Sequence, residues 1–344
     1  MPVVKPRHQA SPLDDKEGFR SSLAQWFGKV GKDFPWRRTH EPYAILVSEM
    51  MLQQTQVTTV LGKGYFTRFL AKFPDIQTLA AADDTSLLKA WEGLGYYRRA
   101  RMLRETARAI LSRHDGRFPE NETELLALPG IGPYTCAALL SFAFGKSSAL
   151  VDGNVSRILS RLTNDASPID STPTIRKHRE LSLSLCDPAH PRIHHYAMME
   201  LGQTLCRPGT PHCLECPVSK YCAATSPETL PVKKKRSPIS AITEHAIWAR
   251  NAEGAILLHR ESGSRRNGLW KLPLRTAEEC KSQHLIAKDT YAITRYKVTL
   301  RVHLTEISSF DIAGGDEWIS PEHLETLPLA APFRRMITRL LLDF

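Results

Sequence analysis

At 344 residues with 42% hydrophobic side chains, the chain carries enough apolar material for two or three packed domains, and its formal net charge of +10 suits a polyanionic partner. No apolar run approaches the roughly 20 residues of a membrane span, and the opening Met1 to His8 lacks a signal-peptide core, so a cytoplasmic, nucleoid-associated protein with no membrane partner is expected. Seven cysteines, four of them between positions 206 and 222, favour a metal or cluster site over disulfides.

Residues 1–17, rich in proline and charge, are expected to be disordered, and helical periodicity begins near Phe19. Phe34 to Arg37 interrupts it, and an apolar helix is predicted from Pro42 to Leu52. Glu49 lies four residues after Ile45 and three after Leu46, on the face that carries core side chains. A carboxyl there is either paired at the rim of the core to an arginine, or kept protonated by desolvation and so fit to act as a general acid.

Gln53 to Gln56 form a polar break that suits either base edges or a solvated helix end. Trp91 to Tyr97 is a glycine-flexed turn with two tyrosines. It feeds a helix in which Arg101, Arg104 and Arg108 make a basic stripe, suited to DNA contact with an aromatic wedge beside it, or else a plain solvated face over core tyrosines. At Leu128 to Tyr134 a hairpin joins two helices. Gly130 and Gly132 permit a tight turn, and Pro133 opens the second helix, whose N-terminal amides suit a phosphate; a simple packing corner would have the same sequence.

Asp152 and Asn154 precede a short helix from Val155 to Leu162. Either can be its N-cap, but the apolar lead-in Ala149 to Val151 brings the Asp152 carboxylate from a buried segment, where cap and functional anion can be one group. Cys206, Cys213, Cys216 and Cys222 can all reach one centre, zinc or iron–sulfur by the chemistry of thiolates. Cys136, Cys186 and Cys280 read as ordinary buried thiols. Residues 225–241, with Ser226-Pro227, Lys233 to Arg236 and Ser237-Pro238, read as a linker. Strands are predicted at 246–249, 255–258 and 298–304, and a last helix carries Phe333, Ile337, Leu340 and Leu341; together they form an α+β domain of about 100 residues.

Several of these segments form a pattern: Pro35 to Arg37, Pro42-Tyr43, Val47 to Val57, Trp91 to Tyr97, Leu128 to Tyr134, Val151 to Val155, Met199 to Gly202 and the four-cysteine motif. On them, the chain after residue 17 resembles the MutY family of adenine DNA glycosylases in the endonuclease III, or helix-hairpin-helix, superfamily. The resemblance implies a mainly α protein. Its catalytic helical domain would span 18–224, with the helix-hairpin-helix near 125–145 gripping the DNA backbone. A loop at 206–222 would hold a [4Fe-4S] cluster, a linker would follow at 225–241, and a Nudix-like (MutT-like) domain at 242–344 would recognise the lesion.

The resemblance also implies roles. Glu49 would protonate adenine and help to activate water, and Asp152 would stabilise the oxocarbenium ion. Tyr134 and Asn154 would orient them. Gln54 and Tyr96 would wedge into the duplex, with Trp36, Arg37 and Val57 at the adenine pocket and Gly130 and Gly132 on the backbone. Tyr134 stands where the strand-cutting branch has a Schiff-base lysine, which implies base removal without lyase activity. The chain departs from the family where no Nudix box follows Gly268 to Pro273, and where Arg295, Tyr296 and Lys297 occupy the place of a Phe-Ser-His loop that reads 8-oxoguanine.

The expected partner is double-stranded DNA with adenine opposite 8-oxoguanine or guanine, bound by a monomer. Two alternatives stand beside this reading: an endonuclease III-like or mismatch-specific thymine glycosylase on the same scaffold, and a non-catalytic iron–sulfur DNA-binding protein.

Overall fold

The protein is described here by a computed structural model covering residues 14–234, 238–263, 266–293, 295–306 and 312–343. Among these the helices run α1 (Lys16–Val30), α2 (Pro42–Leu52), α3 (Val57–Gly62), α4 (Tyr65–Lys72), α5 (Ile76–Ala81), α6 (Asp84–Ala90), α7 (Arg98–Arg113), α8 (Glu122–Leu126), α9 (Pro133–Phe142), α10 (Gly153–Leu162), α11 (Thr172–Leu185), α12 (Pro191–Thr204) and α13 (Ala331–Asp343). The strands are β1 (Ser240–Trp248), β2 (Ile256–Arg260), β3 (Trp270–Lys271), β4 (Leu274–Arg275), β5 (His284–Ile293), β6 (Tyr296–Leu304) and β7 (Asp316–Ile319). Among the described residues no helix is long and apolar enough to cross a membrane.

Packing divides the chain into one unit of residues 1–53 and 105–235 and another of 54–104 and 236–344, with the change of unit falling inside α7. The single helical region expected at 18–224 is therefore shared between two units. The reason lies in the second unit. Arg334 of α13 pairs with Glu92, Lys89 Nζ donates to the Leu327 carbonyl at 3.3 Å, and Arg101 Nη2 donates to the Asn267 carbonyl at 2.5 Å. These bonds tie helices α3 to α6 to the C-terminal segment.

In the first unit α2 and α9 are buried along nearly their whole lengths, Tyr43 to Met51 and Thr135 to Phe142, as apolar helices at the centre of a core must be. Arg37, in the turn before α2, donates to Glu200 of α12 at 2.9 Å, and its guanidinium lies over the rings of Phe34, Tyr196 and Phe27 at 4.6, 4.8 and 5.5 Å. The expected disorder at 1–17 is corrected for 14–17: Asp15 caps α1 by accepting from Gly18 N at 2.8 Å and also receives the Tyr221 hydroxyl at 3.0 Å. Residues 1–13 lie outside the described residues. The expected linker is anchored where it is described, by Ile169 N to the Val232 carbonyl and Lys234 N to Asp170, and β1 begins inside its expected end. Lys235 to Ser237 lie outside the described residues.

In the second unit one sheet has the order β4-β1-β6-β5 and the other β3-β2-β7. Strands β1 and β6 run parallel, and the remaining pairs antiparallel. Phe333, Met336, Ile337 and Leu340 form the buried face of α13, where Phe333 meets the Tyr291 ring of β5 edge-on at 6.4 Å.

The Arg37–Glu200 pair has side-chain exposures of 9% and 0%, so removing one partner leaves an uncompensated charge. Glu200→Ala is expected to lower the free energy of unfolding by about 3–5 kcal/mol. Urea titration checks this, and a change below about 1 kcal/mol would mean that the site rearranges to hydrate Arg37.

Candidate active site and cysteine loop

Glu49 is 4% exposed on α2, and its Oε2 accepts the Tyr134 hydroxyl from α9 at 2.7 Å. Burial pushes the carboxyl up to about 7. The Tyr134 bond works against this, the charge of Asp152 adds to it, and Arg37 opposes it. Tyr134 is itself held well above its usual value by burial and by the charges of Glu49 and Asp152, so it remains a neutral donor.

Asp152 caps α10. One oxygen accepts from Val155 N at 2.7 Å and the other from Asn154 Nδ2 at 2.9 Å. Asn154 in turn receives Arg157 Nη2 at 2.9 Å, and Arg157, 6% exposed, donates on to the carbonyls of Gly202 and Cys206 at 2.8 Å each. The N-cap expected at Asp152 or Asn154 is thus Asp152, with Asn154 as its side-chain partner. Glu49, Tyr134, Asp152 and Asn154 belong to one site, with the Arg37 charge felt at Glu49. Trp36, 3% exposed, is a core residue packed on Phe34 at 5.3 Å.

The hairpin forms between α8 and α9. Gly130 has φ +80°, which only glycine adopts without strain, but Gly132 is extended at φ −91° and has nothing within 4 Å of where a Cβ would sit. The tight-turn role expected of both glycines therefore falls to Gly130. Gly132 leaves open space at the N-terminus of α9.

Gln54, Tyr96 and Val57 belong to the other unit. Gln54 and Tyr96 have left-handed backbone at φ 57° and 48°, and Tyr96 is 55% exposed. Arg99 joins their loops: Nη2 donates to Thr55 Oγ1 at 3.2 Å and to the Leu94 and Gly95 carbonyls at 3.1 Å, with the guanidinium 5.6 Å from the Tyr96 ring. The basic stripe is corrected. Arg101 and Arg104 pair with Asp84 at 3.2 and 2.6 Å, and Arg108 pairs with Glu105 at 2.9 Å, so all three engage the protein's own carboxylates. Tyr296 opens β6, where Arg295 Nη2 donates to its hydroxyl at 3.0 Å.

Cys206, Cys213, Cys216 and Cys222 line one cavity of about 100 Å³. Arg161, 1% exposed, donates to Cys206 Sγ at 3.3 Å and to the carbonyls of Arg207 and Gly209. Burial, with repulsion from the other three thiols, pushes Cys216 up to about 12. Four sulfurs lining one cavity, with one buried guanidinium beside them, are the donor set of a cationic thiophilic centre and fit a [4Fe-4S] group.

Arg157, Arg161, Arg99 and Glu200 were not singled out from sequence. The signal for the α10 pair was present: two arginines four residues apart among Val155, Ile158, Leu159 and Leu162, a stretch whose pattern demands burial.

Residues 47–183 match the HhH-GPD superfamily of base excision DNA repair proteins. The adenine DNA glycosylase of Mus musculus is 42% identical over 232 residues, 64% of this chain and 44% of that protein; that of Buchnera aphidicola subsp. Baizongia pistaciae is 33% identical over 262 residues, 74% of this chain and 71% of that protein. The chain belongs to the adenine DNA glycosylase family, and it spans less than half the length of the mouse relative. A thermostable thymine-DNA glycosylase has the same helical fold at TM-score 0.56 and 31% identity, over 61% of this chain and 95% of that one.

Folded Glu49 titrates near 7 and an unfolded glutamate near 4.5, so between those values the folded chain holds the extra proton. Stability from this group is complete below about 4.5 and is lost as pH rises through about 7. Urea unfolding between about pH 5 and about pH 8 should show a loss of roughly 3 kcal/mol in the wild type that is missing in Glu49→Gln. Parallel pH profiles for the two proteins would overturn the assignment.

Proposed function

We propose that the protein removes adenine from double-stranded DNA where it lies opposite 8-oxoguanine or guanine, hydrolysing the N-glycosidic bond and leaving an abasic site. The observation that carries this is a buried Glu49, poised near neutrality, in a hydrogen bond with a phenol. A carboxyl that is half protonated at pH 7 can give its proton to adenine N7 as the bond to the sugar breaks, and then accept one from the attacking water. Asp152, held by Val155 N and Asn154, faces the developing oxocarbenium ion as a fixed carboxylate. Tyr134 holds Glu49 and cannot form an imine, which makes the enzyme monofunctional.

Gln54 and Tyr96 serve as wedges that hold the base out of the stack, and the open space at Gly132 admits a phosphate to the α9 amides. Tyr296 contacts the strand that carries 8-oxoguanine. Cys206, Cys213, Cys216 and Cys222 would hold a [4Fe-4S] group, which would tie the 206–222 loop covalently, while Arg161 and Arg157 hold that loop to α10. The protein acts as a monomer, in the cytoplasm. The likeness to a thymine-DNA glycosylase supports a second reading, in which the excised base is a thymine opposite guanine.

Duplexes containing A opposite 8-oxoguanine, A opposite G and T opposite G, incubated with the protein and then treated with alkali, separate the readings. Cleavage at the first two is expected, and cleavage at T opposite G alone would replace this proposal with the second. Glu49→Gln should bind the duplex and lose roughly 100- to 10,000-fold in excision rate. Borohydride should trap no substantial enzyme–DNA adduct; efficient trapping would contradict the monofunctional assignment.

A further inference from the structure

Cys280, which the sequence presents as an ordinary buried thiol, stands beside two histidines of the C-terminal sheet. His245 lies on β1 and His303 on β6, where His303 pairs in register with Ile247, two residues beyond His245 and so on the same face. Cys280 packs against that face with Ile247, Ala249 and Leu257. Nδ1 of His245 and Nε2 of His303 are 3.1 Å apart, and one ring nitrogen of each histidine lies with the Cys280 sulfur within 4.8 Å of one another.

We propose that His245, His303 and Cys280 form a binding site for a borderline-soft divalent cation of the zinc class, independent of the four-cysteine loop. Bonds of about 2.0–2.1 Å to nitrogen and about 2.3 Å to sulfur place the donors of a tetrahedral zinc roughly 3.3 Å apart for two nitrogens and roughly 3.6 Å for nitrogen and sulfur. The observed nitrogen pair is close to that first edge. The three donors come from separate stretches of chain, β1, β6 and the turn after β4, so a cation would tie one sheet face and a loop together. Two imidazoles and a thiolate match zinc better than a hard ion such as magnesium or calcium.

The surroundings suit a cation that arrives from solvent. Cys280 and His303 are 1% and 5% exposed, while His245 is partly exposed and leaves a route in, with a water to complete the tetrahedron. Burial, reinforced by His245 and Arg301 and opposed by the Gln283 backbone, holds His303 below its usual value, so its ring is neutral and offers a lone pair. Burial holds the Cys280 thiol above its usual value, so binding releases its proton to solvent as the sulfur takes the metal. The competing account of the 3.1 Å contact is a hydrogen bond between the two imidazoles, and it gives the thiol no part.

Metal analysis of the full-length protein with its cluster, prepared in zinc-containing buffer, tests the proposal together with X-ray absorption at the zinc edge. About one zinc per chain is expected, bound by two nitrogens and one sulfur. His245→Ala, which changes the most accessible donor, and Cys280→Ser should each weaken zinc binding by more than about 100-fold, beyond the effect usual for groups that only support a ligand. Cys206→Ser should leave this zinc in place. Absence of zinc from the wild type, zinc bound by sulfur alone, or zinc retained in both variants would overturn the site. The wild-type spectrum decides even where a variant fails to fold, and none of these outcomes bears on which base is excised.

Discussion

The hydrogen bond between Tyr134 and Glu49 is the constraint on which the helical unit is organised. A carboxyl carried on α2 with 4% exposure is costly to ionise, and a core helix would be more stable with an apolar residue there. The cost is tolerable because α9 brings a phenol to the same point, which gives the group one strong partner without neutralising it. An arginine at that point would have lowered the acid below any useful range. Arg37 is the nearby cation, and its 2.9 Å partner is Glu200, so it reaches Glu49 only as a weaker, more distant charge. The apolar character of α2 and α9 follows from the same need, since desolvation is the largest cause of the raised value.

The second carboxylate is handled in the opposite way. Asp152 sits at a helix N-terminus with a donor on each oxygen, in the polar surroundings that Glu49 lacks. Its tether does not end locally. Asn154 leads to Arg157, and Arg157 leads to the carbonyl of Cys206, so the position of the anion depends on the fold of the cysteine loop. Arg161, one turn further along α10, fixes the same loop through Arg207 and Gly209. One helix therefore joins Asp152 to the four-cysteine segment through buried guanidinium groups, whose planar forks can serve several carbonyls at once. The two acids thus sit in opposite environments, one kept dry and one kept bonded.

Much of this was legible in the sequence because the chemistry demanded unusual residues in regular patterns. Glu49 broke an apolar helix, Asp152 followed an apolar lead-in, and four cysteines crowded 17 positions. Less was legible where the deciding partner lay far away in the chain. The arginines of α7 look like a DNA-binding stripe until Asp84, about 20 residues earlier, takes up two of them. Strand β5 has no regular apolar alternation in its sequence, because only two of its ten residues are buried and polar residues are scattered through it; its pairing to β6 supplies the order that its own sequence does not. The grouping of 54–104 with the C-terminal segment rests on pairs such as Glu92 with Arg334, separated by 242 positions. Cys280 was unremarkable for the same reason: its histidines lie on two strands, one before it and one after it.

Gln54 and Tyr96 show how an intermediate kind of information can be recovered. Among the described non-glycine residues four have left-handed backbone, and two of those, Asp115 and Asn164, are of the types that accept it readily. Gln54 and Tyr96 are not, and a strain of order 1–3 kcal/mol at each must be held by something else. Arg99 is what holds it. It is 7% exposed, it grips the carbonyls of Leu94 and Gly95 just before Tyr96 and the hydroxyl of Thr55 just after Gln54, and its guanidinium lies against the Tyr96 and Trp91 rings at 5.6 and 5.5 Å. One buried cation thus enforces both strained turns at once. Strain so placed serves no packing purpose at a tyrosine that remains 55% exposed. It presents the side chain in a fixed direction before any partner arrives, which would lower the ordering cost of the wedging proposed for it.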